Sequence, residues 1–213
     1  MVVGFYSQLN DGFRAELYYQ KALNIYQELD NTEAWQFEVL NELITMNMIF
    51  EDYLKAKANV NSALSIYEMF PSKIDSISLA WVYLNAGTTH LELKEYSAAE
   101  QMAEKALELL DETTEPFYYS IGLELGAMIQ SEVGKLNEAE KNMYRALNLR
   151  KALYLKGESQ HEIAAAYENL CDILIRQGAL DRADQHLSQA FKMLLPNDDF
   201  DANKFKQKKI WAK

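Results

Sequence analysis

The residue types that carry out catalysis or hold metal ions are scattered through this sequence. Its three histidines, His90, His161 and His186, stand far apart and show no spacing typical of metal ligands. The repeat pattern described below places no histidine next to the single cysteine, Cys171, which argues against a catalytic thiol. No phosphate-binding glycine loop, HExxH motif, CxxC motif or nucleophile elbow occurs. We therefore expect no enzymatic activity, no cofactor and no metal site.

The charge of the chain narrows the class of partner. Its net charge is −11, whereas binding to nucleic acid needs a basic face. Residues 200–213 differ from the rest, with five lysines against one aspartate. No signal-like leader and no run of about 18 apolar residues occurs, so we expect no membrane insertion. One cysteine allows no internal disulfide, which is typical of a reducing compartment, and we expect a cytoplasmic protein.

The elements that would position any site are helices arranged in repeats. Apolar residues recur at three- and four-residue spacing, and a chain of 213 residues with only eight glycines and three prolines favours helix. Two alanines seven residues apart occur five times: Ala15/Ala22, Ala56/Ala63, Ala99/Ala106, Ala139/Ala146 and Ala183/Ala190. Seven residues make two helical turns, so both methyl groups face the same side and let another helix approach closely. The pattern predicts helical hairpins that turn at residues 50–53, 93–96, 135–137 and 177–181, with Cys171 as a small packing residue.

This pattern resembles the tetratricopeptide repeat, whose basic unit is about 34 residues. The alanine pairs recur here at intervals of 41, 43, 40 and 44 residues, so the units are longer. Residues 145–174, "RALNLRKALYLKGESQHEIAAAYENLCDIL", are similar to kinesin-light-chain repeats, and "KALNIYQEL" (21–29) is similar to the repeats of Rap- and PlcR-type peptide sensors. The resemblance implies an all-α, right-handed α-solenoid of about five hairpins, with a possible C-terminal capping helix.

The repeats set the expected domain organisation. We expect one array over residues 1–195, with units at roughly 1–30, 31–71, 72–113, 114–157 and 158–195. The basic segment 196–213 is a capping helix, the start of a further unit, a tail or a docking motif. The short first unit leaves Val2, Val3, Phe5 and Tyr6 near an apolar end. We expect either that the chain is a fragment or that something packs on this end, and self-association is one such possibility.

In such a superhelix the first helix of each hairpin lines the inner wall. The register predicts a partner-binding wall made of Glu38, Asn41, Met48, Trp81, Asn85, Thr88, Glu92, Glu124, Met128, Glu168, Asn169, Asp172 and Arg176. The resemblance to kinesin-light-chain repeats implies that the asparagines hydrogen-bond a peptide backbone, and helix packing is the alternative role. Trp81 and Met48 are candidate apolar anchors, with core packing as their alternative.

The predicted wall is acidic. Six carboxylates, those of Glu38, Glu92, Glu124, Glu132, Glu168 and Asp172, stand against one basic residue, Arg176. A concave wall of one sign favours a partner of the opposite sign, which here is a basic or amphipathic segment. The paired Lys and Arg that chaperone-binding repeats use to clamp a terminal carboxylate are missing from it.

Two functions follow from this interpretation. The first is a non-enzymatic scaffold that binds a peptide or helix of a partner protein in an acidic groove. The alternative is the peptide-sensing regulatory domain of a bacterial Rap- or PlcR-like regulator. The alternative requires a further N-terminal domain, and the full reading frame would distinguish the two.

Overall fold

The computed structural model of this chain describes residues 12–154 and 160–194; the apolar residues 2–6 and the basic segment 196–213 lie outside them. Within these ranges the regular structure is entirely helical and contains no strand. Nine α-helices and one short 3-10 helix follow one another: α1 Gly12–Gln27, α2 Glu33–Ile49, α3 Tyr53–Met69, the 3-10 helix Pro71–Lys73, α4 Ser76–Glu92, α5 Tyr96–Leu109, α6 Pro116–Glu132, α7 Leu136–Tyr154, α8 Gln160–Arg176 and α9 Leu180–Leu194. None of the described helices combines the length and apolarity needed to cross a bilayer.

Consecutive helices pack as hairpins. The pairs are α2 with α3, α4 with α5, α6 with α7 and α8 with α9, while α1 packs on α2. We call α2, α4, α6 and α8 the first helices, and α1, α3, α5, α7 and α9 the second helices. The chain divides into two compact units, one up to Tyr118 and one from Tyr119. The predicted fold class, an all-α solenoid of helical hairpins, is confirmed.

The paired alanines lie where the helices of each unit approach one another. Nine of the ten are buried, and Ala22 in α1 is half-buried. In the first unit Ala56 and Ala63 share a core with Phe37, Leu40 and Ile44. In the second unit Ala139, Ala183 and Ala190 share a core with residues of α8, including Cys171, whose thiol donates to the Ala183 carbonyl at 3.3 Å. A methyl group at these positions sets how closely the helices pack.

The turn inside each hairpin is built in the same way. The first helix ends two residues before a residue with a left-handed backbone: Glu51, Lys94, Gly134 and Gly178, with φ of 59°, 60°, 81° and 76°. The N–H of that residue donates to the carbonyl three positions earlier, and the next N–H donates to the carbonyl five positions earlier. These two bonds satisfy carbonyls that the helix end would otherwise leave unpaired. The hairpin turns that the sequence predicts at these four places are confirmed.

The two glycines Gly134 and Gly126 should respond to alanine in opposite directions. A Cβ at either position would meet no atom within 4 Å, so backbone conformation decides the outcome. At Gly134 the φ of 81° disfavours a side chain, and Gly134→Ala should lower the free energy of unfolding by about 1 kcal/mol. Gly126 lies inside α6, where alanine has the better helix propensity, so Gly126→Ala should raise it by about 0.5–1 kcal/mol.

Urea denaturation of the two variants and the parent checks this difference. A loss of stability in both variants would contradict the role of the backbone at Gly134, because it would point to a general intolerance of added methyl groups.

Candidate functional site on the first helices

Charge is segregated between the two kinds of helix. The four first helices carry one basic residue, Arg176, whereas the second helices carry eleven: Arg14, Lys21, Lys55, Lys57, Lys105, Lys141, Arg145, Arg150, Lys151, Arg182 and Lys192. The first helices carry nine acidic residues: Glu33, Glu38, Glu42, Glu92, Glu124, Glu132, Glu162, Glu168 and Asp172. Any surface that the first helices form within a unit is therefore rich in carboxylates.

The predicted wall residues differ in how far solvent reaches them. Glu38, Glu92, Glu168, Asp172 and Arg176 are exposed. Met48, Trp81, Thr88, Met128 and Asn169 are half-buried. Asn41, Asn85 and Glu124 are buried. The first two groups are the part of the predicted site that a partner can contact without a rearrangement.

The asparagines of the first unit bond to each other. The Asn85 amide on α4 donates to the Asn41 side-chain oxygen on α2 at 2.9 Å, and it lies 3.3 Å from the Thr45 hydroxyl. Asn41 and Asn85 are only 5% and 6% exposed. This geometry corresponds to the helix-packing role for both residues, and a bond from either to a peptide stays a prediction.

The second unit contains an equivalent contact that carries charge. The Asn169 amide on α8 donates to the Glu124 carboxylate on α6. The residues joined are 45 apart in sequence, against 44 for Asn85 and Asn41. Arg150 on α7 forms an ion pair with Glu124, and its Nε donates to the Ser120 hydroxyl at 3.3 Å. Glu124 and Arg150 are 8% and 5% exposed, so this wall carboxylate lies in a buried cluster.

Ion pairing reduces the charge that the predicted wall presents. Glu124 is paired with Arg150, and the exposed Glu132 is paired with Arg176, which also donates to the Ser131 carbonyl at 3.3 Å. The other four wall carboxylates, those of Glu38, Glu92, Glu168 and Asp172, are exposed. The first helices of both units therefore carry exposed acidic charge.

Trp81 provides an aromatic surface in the first unit. Its ring meets Tyr118 edge to face, with 5.5 Å between the centroids and 70° between the planes. Tyr118 in turn contacts Phe117 in the same geometry, at 76°. Because Trp81 is half-buried, packing fixes its orientation while part of the indole is accessible. A fixed, partly exposed indole is suited to contact an apolar side chain of a partner.

His90 takes part in a network that links two hairpins of the first unit. Its Nδ1 lies 2.6 Å from the carboxylate of Glu95, the residue that precedes α5. Lys57 on α3 donates to the same carboxylate at 2.6 and 2.7 Å. Lys57 and then His90 hold the pKa of Glu95 below its ordinary value, mainly through these hydrogen bonds. His90 is 9% exposed, and this network accounts for it without a metal ion.

His186 packs among aromatic side chains in the second unit. Its Nε2 is 2.7 Å from the Tyr144 hydroxyl, and its ring also contacts Tyr167. Burial lowers the pKa of His186, although hydrogen bonding to the Gln189 side chain opposes this shift. The His161 side chain lies outside the described part of the chain. Among the residues described, no group of three or more His, Cys, Asp and Glu side chains could hold a metal ion.

Sequence reasoning missed the residues that pair with the predicted wall. Arg150 was detectable, because it follows Met143 and Leu147 on the apolar stripe of α7, where a cation needs a partner. Tyr118 and Lys57 gave no such signal. Their partners lie on other helices, and only the packed structure brings them together.

A tetratricopeptide repeat family model matches residues 35–112 of this chain, which include most of α2 and all of α3, α4 and α5. A search of curated proteins finds no match.

Several solved structures have a similar fold. BtubC (BKLC) from P. vanneervenii has a TM-score of 0.75 at 16% identity over 93% of this chain and 79% of that one. MamA residues 41 to the end, from Desulfovibrio magneticus RS-1, gives 0.59 at 16% identity over 92% and 97%. YrrB, described as a TPR protein with an unusual peptide-binding site, gives 0.55 at 20% identity over 96% and 88%. At identities of 16–20%, these similarities show a shared fold and nothing more specific.

Removing Arg150 should destabilise the second unit strongly. Arg150→Met leaves the Glu124 carboxylate buried without its cation, which should lower the free energy of unfolding by about 3–5 kcal/mol. Adding Glu124→Leu should recover at least half of the loss, because no unpaired charge is then buried. Arg145→Met, at an exposed position on the same helix, should cost less than about 1 kcal/mol. Chemical denaturation measures all four proteins, and a double variant no more stable than Arg150→Met would contradict the pairing.

The Glu95 network should make the stability of the fold depend on pH in the acidic range. A carboxyl whose pKa is lower in the folded state stabilises the fold above its unfolded pKa, and this contribution is lost as the pH falls through the folded pKa. Glu95→Gln should therefore be less stable than the parent at pH 7, and the two proteins should converge below the ordinary glutamate value of 4.5. Thermal unfolding at a series of pH values tests this. Glu104→Gln, at an exposed position on α5, should follow the parent throughout.

Proposed function

We propose that this chain, a tetratricopeptide-repeat protein, is a non-enzymatic scaffold that binds a basic or amphipathic segment of a partner protein on the surface of its first helices. One observation carries the proposal. The first helices carry nine acidic residues and one basic residue, while eleven basic residues lie on the second helices. Such segregation gives the first helices a negative potential without making the second helices acidic as well.

The exposed side chains support this kind of partner. Glu38 and Glu92 in the first unit, with Glu168 and Asp172 in the second, present carboxylates to solvent. A basic segment arriving there gains Coulomb attraction, and steering by the opposite charge of this surface also speeds association. The half-buried Trp81 and Met48 add apolar contact in the first unit, which favours an amphipathic segment over a purely charged one.

Either an extended peptide or a helix fits this proposal. YrrB, which has a similar fold, is described as a TPR protein with an unusual peptide-binding site. This description supports an extended peptide as the partner proposed for the present chain. We infer no enzymatic role, because the described residues with catalytic potential are used in packing: His90 contacts Glu95, and the Cys171 thiol donates to a backbone carbonyl. The cytoplasmic location and the Rap- or PlcR-like alternative stay predictions from the sequence.

The electrostatic part is tested with two designed amphipathic peptides that share their apolar residues. One carries lysines and the other carries glutamates at the polar positions. We expect the lysine peptide to bind, with an affinity that falls as salt is added, and the glutamate peptide to bind at least about tenfold more weakly. Fluorescence anisotropy of the labelled peptides measures both affinities.

Charge reversal on the first helices identifies the surface. Glu38→Lys with Glu92→Lys should weaken binding of the lysine peptide by about tenfold. The matched control, Glu104→Lys with Glu108→Lys, makes the same change in net charge at exposed positions of the second helix α5. Equal loss of affinity in both double variants would mean that net charge, and not this surface, attracts the peptide.

A further inference from the structure

A groove of about 620 Å³ lies on the second-helix side of the first unit, between α1 and α3, with residues of α2 at its base. Its lining consists of Gln20, Leu23, Gln27, Gln36, Leu40, Asn59, Asn61, Ser62, Ser65, Ile66 and Met69. Not one of these side chains is charged, although charged residues make up 25% of the chain. The described lining is neutral, and this distinguishes it from the acidic surface of the first helices.

The groove has an apolar base and a polar rim. Leu23 and Leu40 are buried at 5% and 3% exposure, and Ile66 is half-buried beside them. The rim is formed by amide and hydroxyl side chains, of which Gln27 and Ser62 are exposed on opposite helices. The volume falls in the usual range for ligand-binding clefts, roughly 300–1,000 Å³. Seven of the eleven lining residues are polar, so hydrogen bonding contributes more to this groove than to a mainly apolar cleft.

The rim amides can both donate and accept hydrogen bonds. Each Asn or Gln side chain carries an NH₂ donor and a carbonyl acceptor. Within the described residues, no hydrogen bond occupies the side-chain amide of Gln27 or Asn61. Gln36 donates from its Nε2 to the Tyr26 carbonyl at 3.2 Å, and this contact orients the amide at the base of the groove.

We propose that this groove binds an extended, uncharged peptide segment with apolar side chains, as a second binding site of the protein. An extended chain offers alternating N–H and C=O groups, which match amides that donate and accept. A helix already satisfies these groups internally and would leave the rim amides without partners. A charged side chain entering the groove would lose hydration and meet no opposite charge, so the lining selects against it.

The test uses three arrays of short, capped peptides made from aliphatic, Ser, Thr, Asn and Gln residues. The second array adds one lysine to each central position, and the third adds one glutamate. We expect the full chain to bind members of the neutral array, and to bind the charged counterparts at least about tenfold more weakly. Binding should shift the side-chain amide NMR signals of Gln27 and Asn61. Failure to bind any neutral peptide, or binding that leaves both signals unmoved, would overturn the proposal.

A substitution separates this groove from the acidic surface. Ser62→Lys places a charge on the exposed rim and should weaken binding of the best neutral peptide by about tenfold, with Gln27→Lys as a second variant of the same kind. Ser97→Lys, an exposed serine on α5, should leave the affinity unchanged. The Glu38→Lys, Glu92→Lys double variant should also retain the affinity for the neutral peptide. The two proposed sites, the groove and the acidic surface, are therefore tested independently of each other. Equal affinities in the Ser62→Lys and Ser97→Lys variants would overturn the groove as the site.

Discussion

Close contact between helices at the paired alanines determines the geometry of each unit. Ala56 and Ala63 are completely buried, and so are their counterparts Ala139 and Ala146. A methyl group at these points lets two helices approach closely, and larger neighbours fill the remaining volume. Because the alanine pairs recur every 40 to 44 residues, residues about 44 apart come to lie on adjacent first helices. The hydrogen bonds between first helices depend on that spacing.

Packing and recognition use different positions of the same hairpin. Packing residues are small or apolar and keep their spacing, whereas the exposed residues of the first helices vary in type and include carboxylates in both units. A third group consists of buried polar contacts, such as the ion pair of Arg150 with Glu124. These charged side chains are of types that often bind partners, but here they stabilise the packing of helices. A charged residue type is therefore a poor guide to function in this fold unless its exposure is known.

The sequence alone was sufficient for the hairpins and their turns, because both depend on local signals. Alanine spacing identified the helices, and Gly134 and Gly178 marked two of the left-handed turn positions. The same turn at Glu51 and Lys94 needed no glycine, so only the repeat period revealed it. Burial of wall residues such as Asn85 could not be predicted, because the partner comes from another helix and the period alone does not give the rotation of each helix about its axis. The sequence classed six wall carboxylates together, and the structure separates Glu124 from the exposed ones.

The hydrogen bonds between first helices divide the hairpins into two kinds, those that supply the donor and those that supply the acceptor. Asn85 in α4 and Asn169 in α8 donate, whereas Asn41 in α2 and Glu124 in α6 accept. At the donor position α6 has Leu125, which can make no such bond. The smallest module that could be duplicated or exchanged without leaving one of these amides unpaired is thus a pair of hairpins. A single-hairpin insertion between α3 and α4 would separate donor from acceptor at about 1–3 kcal/mol, so growth of this array by whole pairs is the less costly route.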